Sequence, residues 1–229
     1  FSIAGADVEM QKAWEIEQGD PNINVCILDS GVKLDHPEFQ GRLWTNTKEI
    51  AGNGLDDDDN GLIDDFYGWD FVNSDNDPTD DLGHGTNVAG ITAASGNNNI
   101  GYAGVDWNCK VMALKGIDEN NSGFYSWWIS GIYYAVDNGA NVINMSLGGN
   151  SNSAILKDAI NYAVDKGVVV VVCMMNTNSQ NTFYPAAFPA VIAVGSTDPD
   201  DTRTAPFFWS ASSGSNDGTH ISVAAPGNF

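Results

Sequence analysis

Two hydrophobic periods alternate along this chain. Short apolar runs rich in β-branched residues read as buried strands: INVCILDSG (23–31), CKVMALKGI (109–117), NVINMSLGG (141–149), VVVVVCMMN (168–176), AVIAVGSTD (190–198) and ISVAAPG (221–227). Between them lie segments with helical spacing. TNVAGITAAS (86–95) is lined with small residues, YSWWISGIYYAVDNG (125–139) is closed by Gly139, and SNSAILKDAINYAVDKG (151–167) has a polar N-cap cluster and a glycine stop. Strands alternating with helices predict an α/β fold of three layers, with a mostly parallel central sheet flanked by helices. There is no internal repeat and no linker, so residues 1–229 read as one domain with a sizeable core. In such sheets ligands bind beyond the carboxyl ends of the strands. Asp29, Ser146 to Gly149 and Asn176 all fall at strand ends, and His84 begins a helix.

Charge narrows the partners. The chain has 9 basic and 30 acidic residues, a formal net charge of −21, which argues against nucleic acid or an anionic membrane as partner. No apolar run is long enough to span a bilayer; no stretch reads as a signal peptide, and the structured-looking opening leads to the expectation of a mature or trimmed product. The acid is concentrated: no Lys or Arg lies between Lys48 and Lys110, while eleven aspartates lie from Asp56 to Asp81. Such a run is either disordered or cation-binding, and the interleaved Phe66, Trp69, Phe71 and glycines favour order and cations. Of the three cysteines, Cys26 and Cys173 sit in apolar runs, and all three read as structural free thiols.

Calcium takes hard oxygen ligands on a loop able to wrap it. Asp56, Asp58, Asn60, Gly61, the Leu62 carbonyl and Asp64 follow an EF-hand loop through its ninth position, but Tyr67 stands where the closing glutamate belongs. A solvated acidic loop is the alternative.

The chemistry lies in LDSGV around Asp29, GHGTNVAG around His84, and Asn176 after its strand. In this order, and with SGFYSWWISGIYYAV, NVINMSLGG and YPAAFPAVIAVGSTD, the whole chain resembles the subtilisin-like serine proteases, the subtilases. The resemblance implies a secreted, calcium-stabilised endopeptidase acting on extended polypeptides. His84 would be the general base, Asp29 its orienting partner and Asn176 the oxyanion donor. The helix N-terminus under the ring is expected to keep the base neutral near pH 7. Ser146, Leu147 and Gly148 resemble one wall of the pocket for the side chain before the scissile bond. Ser122, Gly123 and Tyr125 resemble the edge that pairs with substrate backbone. His36 reads as structural.

Two further calcium loops are implied by the resemblance. One uses Asp70, Asp75, Asp77 and Thr79. The other uses carbonyls of Gly96, Ile100 and Tyr102, the Asn98 side chain and the Glu38 carboxylate. A propeptide is an implied partner.

The chain departs from the family in two ways. Cys173, Met174 and Met175 precede Asn176 where small residues ending in glycine are usual, so Met175 fills or reshapes the substrate pocket. The family's nucleophile lies in a Gly-Thr-Ser-Met-Ala motif after a strand like ISVAAPG, and no Gly-Thr-Ser occurs among these 229 residues. The expectation is a subtilase domain lacking its last part, which carries the serine and a helix through the domain centre. A second segment would complete it. An inactive peptide-binding module and a calcium-stabilised structural domain are the alternatives.

Overall fold

The structure is a computed structural model and describes residues 8–228. Seven strands form one parallel sheet: β1 (Asn24–Asp29), β2 (Gly68–Asp70), β3 (Lys110–Lys115), β4 (Val142–Met145), β5 (Val169–Cys173), β6 (Ile192–Thr197) and β7 (Val223–Pro226). Their order across the sheet is β2-β3-β1-β4-β5-β6-β7. Among the described residues, four helices accompany them: α1 (Met10–Trp14), α2 (His84–Ala93), α3 (Tyr125–Asp137) and α4 (Ala154–Asp165).

The three layers follow from alternation along the central strand. In β1, Val25 and Ile27 point to one face, where they join Ala89 and Ala93 of α2. Cys26 and Leu28 point to the other, where they join Trp128 and Ile132 of α3 and Leu156 and Ile160 of α4. A parallel strand covered on both faces reads as a continuous apolar run, as β1 does. The buried stripe of α2 is Gly85, Ala89, Gly90 and Ala93, small residues that let the helix lie close on the sheet. In α4, Leu156, Ala159, Ile160 and Ala163 are buried at helical spacing. Ser153 caps its start by accepting from the Leu156 N–H at 3.2 Å. Gly167, at φ 85°, ends it, and the Val168 N–H donates back to the Ala163 carbonyl, a Schellman closure.

The three helical segments and six strands expected from the sequence are all present. Short elements were not anticipated: α1, a 3-10 turn at Pro37–Phe39, and β2, which pairs Gly68 to Asp70 with Ala113 to Lys115. At three residues, β2 is too short to show a period inside the aspartate-rich segment.

The second face is covered unevenly. Towards α3 and α4, Ile143, Met145, Val170, Val172 and Ala193 are buried; on the α2 side Val169, Ile192 and Val223 are exposed at 43%, 40% and 52%. Among the described residues, β5 to β7 therefore carry a partly uncovered apolar face.

Candidate active site

Asp29 ends β1 and is fully buried. Its Oδ1 accepts from the Ser30 N–H at 2.7 Å and lies 2.7 Å from Nδ1 of His84. As that oxygen faces the ring as an acceptor, Nδ1 carries the hydrogen and Nε2 is left as the free basic nitrogen. The His84 ring is 46% exposed, so Nε2 can meet a substrate while Nδ1 stays anchored. Gly85 is required here, because a Cβ at that position would collide with the Gly31 carbonyl and stand 3.1 Å from Asp29 Cβ.

The environment does not hold the base at its ordinary proton affinity. The hydrogen bond to Asp29 raises the His84 pKa above 6.5, burial works against that shift, and the charges of Asp29 and Asp80 add to it. The expected lowering by the helix N-terminus is outweighed by the carboxylate in direct contact. Asp29 Oδ2, buried without a partner among the described residues, adds to the demand for a nearby cation.

Asp80, which no motif singles out, organises this corner. It accepts from the Leu82 and Gly83 N–H groups through Oδ1, and from the Thr86 N–H at 2.8 Å and the Thr86 hydroxyl through Oδ2. It thereby caps α2 in place of Gly83, whose side chain has nothing to offer. Burial pushes the Asp80 carboxyl pKa up, but these hydrogen bonds outweigh it and leave the group below its ordinary value. Ser30 links it to the pair: its hydroxyl donates to Asp80 Oδ1 at 2.8 Å and accepts from the Gly85 N–H at 2.9 Å.

Asn176 follows β5 and is exposed, at the same carboxyl edge of the sheet as Asp29. Its backbone is pinned from a distance in sequence. The Gly214 N–H donates to the Asn176 carbonyl, the Asn216 N–H to the Met175 carbonyl, and Asn216 Oδ1 accepts from Thr177 N–H at 2.8 Å and its hydroxyl at 2.9 Å. Asn216 is 1% exposed. No local pattern marks it, since its partners become neighbours only on folding.

The two expected substrate walls meet. Tyr125 Oη donates to the Ser151 carbonyl at 2.9 Å, and a Cβ on Gly149 would fall 2.5 Å from that oxygen. Ser122 accepts from the Asp118 N–H through its carbonyl, and Gly123 packs against Trp128 and the Gly116 carbonyl. Ser146 accepts from the Asn144 amide at 3.0 Å, Leu147 is buried in the core, and Gly148 faces Met175. Met175 holds the left-handed conformation at φ 72°. Its Sδ lies 3.6 Å from Cys173 Sγ and 2.9 Å from where a Gly148 Cβ would be. The thioether thus lies against the floor of the wall formed by Ser146 to Gly148.

The calcium-loop residues are placed as follows. Glu38 is 5% exposed; its Oε2 accepts from Asn98 at 2.7 Å, while Oε1 is buried without a partner. Gly96 packs on Trp107 and Gly101 on Glu38 Oε1; Ile100 donates its N–H to Asn98 Oδ1, and the Tyr102 ring is exposed. An orphaned carboxylate oxygen beside an asparagine fits a hard cation. In the second loop Asp70, Asp75, Asp77 and Thr79 line one depression with Asp80, Asp81 and Lys115. There the buried Lys115 ammonium already sits 3.3 Å from Asp70 and 2.5 Å from Asp81. In the third, Asp56 and Asp58 converge with Glu49, which the sequence did not single out. Asn60 accepts from the Leu62 N–H, and Asp64 turns away to accept from the Asn53 and Gly54 N–H groups. His36 accepts from the Glu38 N–H and caps the 3-10 turn, a structural role. The three cysteines are free; burial pushes the Cys109 thiol up to about 11.

A buried carboxylate thus holds a half-exposed imidazole at the carboxyl edge of a parallel sheet. The Peptidase_S8 model, described as the subtilase family, matches residues 20–229, and the chain belongs to that family. It is 39% identical over 215 residues to the thermophilic serine proteinase of Bacillus sp. strain AK1, covering 94% of this chain and 46% of the relative. It is 36% identical over 222 residues to thermitase of Thermoactinomyces vulgaris, covering 97% and 68%. Among solved structures, a cold-adapted subtilisin-like serine proteinase superposes with a TM-score of 0.69 at 30% identity, covering 92% of this chain and 65% of that one. The chain therefore spans about half the length of the Bacillus relative.

Proposed function

We propose that this chain is the base-bearing and substrate-positioning part of a secreted serine endopeptidase. The Asp29–His84 contact at 2.7 Å carries the reading. A serine hydroxyl attacks a peptide carbonyl only when a base takes its proton, and His84 Nε2 is free to do so while Asp29 fixes the tautomer and stabilises the imidazolium that forms. Asn176, at the same sheet edge, would donate its amide N–H to the tetrahedral oxyanion. The imidazolium then returns its proton to the leaving amine. The nucleophile belongs to polypeptide outside these residues, and the partly uncovered face of β5 to β7 is consistent with a further segment packing there. Substrate backbone would run along Ser122 to Tyr125. Met175 restricts the adjacent pocket, which favours small side chains before the scissile bond.

Calcium fits as a stabilising cofactor held by Glu38 and Asn98 with carbonyls of the 96–102 loop, whereas in the 70–79 depression the Lys115 ammonium already neutralises Asp70 and Asp81. When bound it supplies charge neutralisation and loop cross-linking. No helix among the described residues is long and apolar enough to cross a membrane; secretion is proposed from the family resemblance. A propeptide is a further expected partner.

Met175 favours a second reading, an inactive peptide-binding module, because a methionine replaces open space beside Gly148. Turnover of a peptide ester separates the two. The endopeptidase reading expects none from residues 1–229 alone, and turnover once the chain is extended through a Gly-Thr-Ser segment. Tight peptide binding without turnover by the extended protein would establish the module instead.

A further inference from the structure

The excursion between Leu43 and Gly68 contains no regular helix or strand, yet it holds a deeply buried polar cluster. Asn46, Glu49 and Asp65 are 2%, 5% and 0% exposed. A loop of this length without secondary structure needs a cross-link to stay ordered. Asn46 bridges Asp58 and Asp65 at 3.2 and 2.9 Å. Glu49 Oε1 accepts from the N–H groups of Asp57 and Asp58 at 2.8 and 3.1 Å. Its other oxygen, Oε2, is buried with no partner among the described residues.

Glu49, Asp56 and Asp58 each bring a carboxylate oxygen within 4.8 Å of the other two. Lys48 lies 3.5 Å from Asp58, but its side chain is 66% exposed, so its ammonium is largely solvated. Three carboxylates at this spacing repel unless a cation lies between them, and a buried oxygen that accepts nothing is costly. A spread of 4.8 Å is about twice a calcium–oxygen distance of roughly 2.4 Å.

We propose that Glu49, Asp56 and Asp58 bind one hard divalent cation of calcium's size, with Glu49 supplying the carboxylate that an EF-hand reading gives to Asp64. Asp64 turns away to Asn53 and Gly54, whereas Asp56 and Asp58, which also accept from the Asn60 and Gly61 N–H groups, stay within 4.8 Å of Glu49. The closing ligand comes from seven residues upstream of Asp56 instead of downstream, which is why Tyr67 can stand at the twelfth loop position. The cation joins the start of the excursion at Glu49 to its middle at Asp56 and Asp58, next to the segment that leads into β2. This extends the calcium reading of the acidic segment and does not depend on the peptidase reading.

Crystals of the protein grown with terbium are expected to show an anomalous peak about 2.3–2.6 Å from all three carboxylates. No peak there, with a peak beside Glu38 and Asn98, would overturn this site while leaving the other calcium site standing. Calorimetric titration with calcium is expected to lose one equivalent in Glu49→Gln and none in Asp64→Asn, with far-UV circular dichroism confirming both folds. If Glu49→Gln fails to fold, Asp56→Asn replaces it with the same expectation. An unchanged stoichiometry in the Glu49 or Asp56 variant, or loss of the equivalent in Asp64→Asn alone, would overturn the proposal.

Discussion

His84 donates to a carboxylate that is itself held by the Ser30 N–H, so the ring and its partner are positioned before any substrate arrives. The folded ring binds its proton more tightly than an unfolded histidine at 6.5. The stability this adds is fully present below about pH 6.5 and is lost as pH rises through the folded value. A base must be neutral to act, so the acid limb of the activity profile in the extended protein is expected above 6.5. NMR titration of the imidazole checks the same shift in this chain. A midpoint above 6.5 that falls in Asp29→Asn is expected, and a midpoint at or below 6.5 would remove the coupling. Met175 supplies the second residue-scale prediction. Met175→Gly relieves the left-handed strain and opens the space beside Gly148, so kcat/KM for substrates with large residues before the scissile bond should rise at least tenfold over those with alanine. Equal gains for both would place Met175 outside the pocket. The Asp29–His84 pair was legible because its surroundings are constrained: Gly85 must be glycine to pass Gly31, and that constraint is written as GHG. Ser30 and Asn216 act on groups brought near only by folding, and Asp80, whose other partners are the local residues 82 to 86, is hidden as one aspartate among the many of the acidic run.

Among the elements, α2 depends on a cap supplied from outside itself. Asp80 accepts four hydrogen bonds from residues 82 to 86, and Ser30 adds a fifth. Asp80→Ala is therefore expected to cost about 2–3 kcal/mol, more than an ordinary cap at about 1 kcal/mol, because it strands donors in a partly buried corner. Ser153→Ala in α4 provides the ordinary case at about 1 kcal/mol. Urea unfolding of the two variants should rank them in that order, and equal losses would reduce Asp80 to a simple helix cap. The long helices and β1 to β7, except β2, were readable from period and glycine stops. The strand β2 and the helix α1 are too short to repeat a period, and β2 exists because Gly68 to Asp70 find an unpaired edge on β3. The acidic run announced cations, but spacing alone could not choose Glu49 over Asp64, because that choice depends on where the preceding loop folds back.

Across the whole molecule, a net charge of −21 sits on a fold with at least two carboxylates that have a buried, unpartnered oxygen in the calcium loops. Calcium at about 100 times Kd stabilises a folded state by roughly 2.7 kcal/mol for each site. Thermal melts in calcium and in chelator should differ by several degrees, and coincident melts would mean that these loops do not bind it with useful affinity. The uneven sheet faces point the same way as the chemistry: α3 and α4 complete one side, while β5 to β7 leave Val169, Ile192 and Val223 partly exposed on the other. The account therefore turns on where the nucleophile resides. Reaction with a serine-directed phosphonate, followed by intact mass and peptide mapping, measures this directly. No adduct is expected on residues 1–229 alone; in the extended protein an adduct is expected on the serine of a Gly-Thr-Ser segment, and its loss in His84→Ala. An adduct on any residue from 1 to 229, or labelling of the extended protein that survives His84→Ala, would contradict it.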